Sequence, residues 1–107
     1  MVMEVHEIRG LQIFIDRETE TYPVEYWNMA AEGTWEPETL DFIDWLGDQG
    51  EAALIDVGAA SGIVTLYALG RGVSVLAVEP SIPDFRALQS NLAQRHSQSS
   101  AVRTLWA

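Results

Sequence analysis

An α/β fold with a mostly parallel sheet is the class this sequence predicts, and three observations carry it. Two short apolar runs, ALIDV at 53–57 and VSVLAV at 73–78, flank a helix-like segment at 63–69 that stops at Gly70. A glycine-rich turn, GAASG, joins the first run to that segment. A second helix-like segment and a third apolar stretch at 102–106 follow. Strand and helix alternating in this way make βαβ units. Strands so uniformly apolar are expected to be covered on both faces by helices, as in parallel sheets.

Residues 11–16 (LQIFID), rich in Ile and Phe and bounded by Gly10, predict a strand that pairs across a turn with 5–9. Residues 17–35 give no clear period; Tyr22, Pro23, Tyr26, Trp27 and Trp35 are expected to form an aromatic patch over a domain edge, or a loop. From Pro37 onward, Leu40, Phe42, Ile43, Trp45 and Leu46 interleave with Glu36, Glu38, Asp41, Asp44 and Asp48. That is an amphipathic helix, started by proline and ended at Gly47 or Gly50, with its carboxylates forming a solvated face. Ser81 with Asp84 three residues later opens the second helix, whose Phe85, Leu88 and Leu92 share one face. Polar HSQSS at 96–100 leads to the third strand. The organisation expected is an extension at 1–34 and a principal domain at 35–107, with the tryptophans serving mainly as packing residues.

Composition narrows the chemistry. The chain has 107 residues, 16 acidic against 6 basic, no cysteine and a formal charge of −10. Hydrophobic residues at 48% with a mean hydropathy of +0.02 describe a chain that builds a core. All six basic residues are arginine, so a P-loop lysine is excluded, and this charge argues against nucleic acid as a direct ligand. The lack of cysteine removes disulfides, thiolate nucleophiles and zinc–thiolate sites. His6 and His96 have no metal-ligand spacing and are expected on the surface. No apolar run approaches the ~18 residues of a membrane span, and the acidic start is unlike a signal peptide. No membrane partner and a cytoplasmic location are therefore expected.

The candidate site is the turn after the first parallel strand: Asp56, Val57, Gly58, Ala59, Ala60, Ser61 and Gly62. Ligands of open α/β sheets bind beyond the carboxyl ends of the strands. A dinucleotide site asks for G-x-G-x-x-G, yet Ala60 stands at the second glycine and Ile63 at the third, which disfavours a pyrophosphate cradle. Glu79, followed by Pro80, closes the second strand 17 residues beyond Gly62. A carboxylate there can accept both hydroxyls of a ribose, and Asp56 adds a second negative group at the same rim. Such a rim favours a nucleoside carrying positive charge and repels a polyphosphate, a pattern that S-adenosylmethionine satisfies.

The segment IDVGAASGIVTLYALGRGVSVLAVEPSIPDFRALQSNL resembles the first two motifs of class I S-adenosylmethionine-dependent methyltransferases of the FkbM family. The likeness lies in Asp56-Val57-Gly58-Ala59, in Gly62 four residues after Gly58, in the Glu79-Pro80 pair, and in a helix carrying Pro83 and Phe85 and ending in Asn91-Leu92. The stretch from Trp35 to Glu38 is similar to what precedes the first motif, and Ser61 stands where the family has asparagine. The resemblance implies a Rossmann-like domain that binds S-adenosyl-L-methionine. Asp56, Gly58, Ala59, Ala60, Ser61 and Gly62 would lie along the methionine side, with Glu79 and Pro80 at the ribose. It implies O-methylation of a hydroxyl on a sugar or other small molecule. The likeness spans about 35–106, the N-terminal half of such a domain, so strand 53–57 is expected as an exposed edge, and the chain is expected either to be a fragment of a longer enzyme or to self-associate through that edge. Two other readings stay open: a noncatalytic interaction module using that edge, and an NAD-binding Rossmann fragment.

Overall fold

The computed structural model describes residues 1–95 and 101–107. Strands β1 (Met3–Ile8) and β2 (Leu11–Asp16) form an antiparallel hairpin with Ile8 opposite Leu11. Helices α1 (Val24–Glu32) and α2 (Pro37–Asp48) follow. Then come β3 (Ala53–Val57), α3 (Ile63–Gly70), β4 (Ser74–Val78), α4 (Ile82–Ala93) and β5 (Val102–Leu105). The last three strands make one parallel sheet in the order β3-β4-β5, so the alternating pattern of strand and helix does produce an α/β protein. No helix among the described residues is long and apolar enough to cross a membrane.

Period-2 geometry divides the sheet into two unlike faces. Leu54, Asp56, Val75, Ala77, Val102 and Thr104 share one of them. Helix α3 lies between that face and β2 of the hairpin, touching both, and six of its eight residues are buried. This explains why α3 is apolar all round: a helix held between two layers has no solvent face to make polar. One hydrophobic cluster runs through Ile8, Ile13 and Ile15 of the hairpin, Trp27 of α1, Leu40 and Ile43 of α2, Leu66 and Leu69 of α3, and Val75 of β4. The hairpin is therefore part of the core.

The other face of the sheet departs from expectation. Ile55 and Val57 are 65% and 77% exposed, and Leu105 in register with Val78 is half exposed. Apolar runs report the hydrophobicity of a strand but not what covers it. Here helices cover one face only among the described residues, and β3 is an edge strand, as expected.

Three further expectations are corrected. Residues 17–35 contain a helix, α1, preceded by Pro23 and closed by Gly33 in the left-handed conformation. Trp27 on α1 is fully buried and stacks on His6 at 5.5 Å. His6 is thus a buried residue, its Nε2 2.7 Å from Glu4 Oε1; His96 lies outside the described residues. The acids of α2 are not uniformly a solvated face, because Asp44 accepts from the Tyr67 hydroxyl, from Arg71 Nε at 3.0 Å and from Arg9 Nη1 at 2.9 Å. Burial pushes the Asp44 carboxyl up, but the Tyr67 hydroxyl and the two guanidinium groups outweigh it and hold it below its ordinary range. The same contact, after burial, pushes Tyr67 up to about 12. Of the tryptophans, Trp27 and Trp35 pack as expected, whereas Trp45 and Trp106 are exposed.

Candidate functional site

The bend at 58–62 follows directly from local hydrogen bonding. Where β3 ends, Gly58 and Ala59 both donate their N–H to the carbonyl of Val78, at 2.8 and 3.0 Å, which folds the chain back over the tip of β4. Gly62 donates to Ala59 O at 3.1 Å and leads into α3. Gly58, Ala60 and Gly62 all have positive φ, at 76°, 52° and 109°. A non-glycine residue held there is backbone strain that the surroundings must impose. At Ala60 the constraint is visible: its N–H donates to Glu79 Oε1 at 2.7 Å. Glu79 Oε2 accepts from Ser81 N at 2.8 Å, so this carboxylate, only 5% exposed, braces the bend and the start of α4 together.

Beside the bend lies a cavity of about 290 Å³ whose wall includes Tyr22, Trp35, Glu36, Asp56, Gly58 and Ala59. Asp56, at the end of β3, accepts from Thr65 Oγ1 at 2.6 Å. Burial raises the Asp56 carboxyl, the Thr65 bond lowers it, and the negative charge of Glu79 raises it again, leaving it above its ordinary value. Glu36, the residue before α2, is in a left-handed conformation at φ 37°, a position that Pro37 makes still less comfortable. Its Oε1 accepts from Thr39 Oγ1 at 3.1 Å. Two carboxylates and no arginine face this space among the described residues, while Arg9 and Arg71 are paired with Asp44 and Arg17 with Glu4. The cavity is therefore electronegative, with an aromatic wall.

The eight expected site residues fall into three groups. Asp56, Gly58 and Ala59 line the cavity. Ala60, Ser61 and Gly62 are buried, and Glu79 turns toward the bend without lining the cavity. Pro80 is exposed, and its carbonyl accepts from Trp106 Nε1 at 2.8 Å, a tie between the two strand ends. The structure adds Tyr22, Trp35 and Glu36, brought in from residues before β3. Glu36 and Trp35 stand just before the proline that starts α2, and Tyr22 and Trp35 belong to the expected aromatic patch, but no local signal tied Tyr22 to the bend.

A larger cavity, of about 440 Å³, opens between β2 and α3 beside Leu11, Phe14, Leu66 and Leu69. It lies away from the strand ends and has no carboxylate among its described lining residues, so it lacks the features of the bend site. No group of acidic or histidine residues suited to a metal ion occurs among the described residues. No family model matches the chain, and no curated protein matches it.

Proposed function

We propose that the chain is the cofactor-binding half of a Rossmann-like, class I S-adenosylmethionine-dependent methyltransferase domain of the FkbM kind, acting on a hydroxyl of a small molecule. One observation supports this reading above the others: four of the five bend amides donate to the protein itself while carboxylates face the adjoining cavity. Gly58 and Ala59 give their N–H to Val78, Ala60 to Glu79 and Gly62 to Ala59. A pyrophosphate needs such amides free. A nucleoside with a cationic centre needs the opposite, and Asp56 and Glu36 supply it. This weighs against the NAD-binding alternative.

The residues fit S-adenosylmethionine in chemistry. Asp56 and Glu36 would attract its ammonium and sulfonium charges, and Trp35 and Tyr22 offer flat apolar surface to its base. Glu79, which does not line the cavity, would serve it indirectly, by holding the bend and the start of α4 through Ala60 N and Ser81 N. When bound, the cofactor supplies an electrophilic methyl group on sulfur. The task of this half of the site is positioning, which alone can account for much of the rate of a transfer between bound partners.

A second reading, an interaction module, is favoured by a different observation: the open sheet face at Ile55, Val57 and Leu105 beside the unpaired edge of β3. Isothermal titration with S-adenosylhomocysteine separates the two. The proposal expects saturable heat that Asp56→Ala and Glu36→Gln each weaken at least tenfold; absence of binding, or affinity unchanged in both variants, favours the interaction module.

A further inference from the structure

The amide of Asn91, on α4, is fully buried and satisfied on three sides. Its Oδ1 accepts from Asp16 N at 2.8 Å at the end of the hairpin. Its Nδ2 donates to Ser61 O within the bend and to Glu20 Oε2, both at 3.0 Å. The orientation is fixed by chemistry, since a flipped amide would set its NH₂ against the Asp16 N–H and its oxygen against a carbonyl and a carboxylate. Glu20 passes the constraint on: its Oε1 accepts from both Thr21 N and Tyr22 N at 2.9 Å. Ser61 belongs to the bend whose Gly58 and Ala59 line the electronegative cavity, and Tyr22 lines the same cavity from the N-terminal side.

We infer that Asn91 is the positioning residue of this cavity, holding the bend and the Tyr22 wall in one geometry and so making residues 16–22 part of the ligand site. This rests on the proposed cofactor reading for the identity of the ligand, but not for the existence of the clamp. Asn91 does not line the cavity and acts on it through Ser61, Glu20 and the Asp16 end of the hairpin. Buried networks of this kind move together or not at all, because one missing donor leaves several acceptors unpaired at once.

The test uses Asn91→Asp, which keeps the shape and the Asp16 contact but turns the donor toward Ser61 and Glu20 into an acceptor. Ser90→Ala is the control: it removes a neighbouring bond from α4 to the hairpin, Ser90 Oγ to Asp16 Oδ2 at 2.9 Å, without touching the bend or Glu20. Amide hydrogen exchange of the protein alone is measured at Ala59, Ala60, Gly62 and Tyr22, and S-adenosylhomocysteine affinity by titration. In Asn91→Asp, exchange at the bend and at Tyr22 is expected to rise together by about tenfold or more, and the dissociation constant by about the same factor. Ser90→Ala should change neither. Glu20→Ala, a half-buried position that keeps the protein testable if Asn91→Asp does not fold, should accelerate Tyr22 alone and weaken binding less. Wild-type exchange rates in Asn91→Asp or in Glu20→Ala, or equal effects in Ser90→Ala, would overturn the clamp. A wild-type protein that binds no S-adenosylhomocysteine would instead overturn the cofactor reading and leave the exchange data to decide the clamp.

Discussion

Gly62→Ala is the substitution whose cost can be worked most directly from the geometry. Gly62 sits at φ 109°, and a Cβ built there would lie 2.8 Å from Leu88 Cδ1 and 3.6 Å from Leu66 Cδ1. Placing a side chain at such a φ costs about 1–3 kcal/mol. Displacing Leu88, fully buried on α4, adds about 1–3 kcal/mol of overpacking. The sum, about 2–6 kcal/mol, is a large part of the roughly 5–15 kcal/mol that hold a domain together. Gly58→Ala provides the comparison: its φ is 76° but nothing lies within 4 Å of the added carbon, so only the backbone term of about 1–2 kcal/mol applies. Urea denaturation followed by tryptophan fluorescence suits both, because Trp27 and Trp35 are buried. Leu88→Val, which removes the clashing atom at a cost of about 1 kcal/mol, should make Gly62→Ala cheaper by about 1–3 kcal/mol. Additivity of the two substitutions within about 0.5 kcal/mol, or equal costs for Gly62→Ala and Gly58→Ala, would refute the assignment of Gly62 to packing against α4.

Other expectations concern charge and surface. The Arg17 guanidinium, against an opposing effect of burial and with help from His6, lowers Glu4 from 4.5 to about 2. Its stabilising contribution is present above pH 4.5 and is lost as pH falls through about 2, so Glu4→Gln should flatten the acid limb of a thermal-melt series over that window. Asp56 has the opposite sign: burial raises its folded pKa, so its ionisation costs stability as pH rises above 3.8. Asp56→Asn should therefore raise the melting temperature at neutral pH by a few degrees, lose that advantage in acid, and weaken ligand binding; a lower melting temperature at pH 7 would contradict this. Val57→Lys puts a charge on the open sheet face beside the β3 edge, and light scattering should show the wild type associating with concentration while the variant stays monomeric. A wild type monomeric at every concentration removes the self-association reading.

The periodic half of the chain was legible because its signals are local. The apolar runs at 53–57 and 73–78, the bend between them and the Ser81 start of α4 each declare themselves within a few residues, and the structure places β3, β4 and α4 there. Helix α1 was missed although Pro23 and Gly33 bracket it, because its aromatic residues do not follow a plain helical stripe and Trp27 is buried through a histidine that composition alone assigns to the surface. The bend residues Asp56, Gly58 and Ala59 could be read from spacing. Tyr22 could not, since its place depends on Glu20 and Asn91, 71 residues apart in sequence. The open face of the sheet was equally hidden: Ile55 and Val57 look like core in any local window, and only the arrangement of α3 shows which side is covered.

The proposed function requires the cavity between Glu36, Asp56 and the 58–62 bend to take a nucleoside bearing positive charge and no phosphate. Amide NMR spectra recorded during titration with S-adenosylhomocysteine, and separately with NADH, test it most directly. Saturable shifts are expected at Glu36, Asp56, Gly58 and Ala59 with the first ligand and none there with the second. Shifts confined to other residues, or an equal response to NADH at the bend, would contradict it.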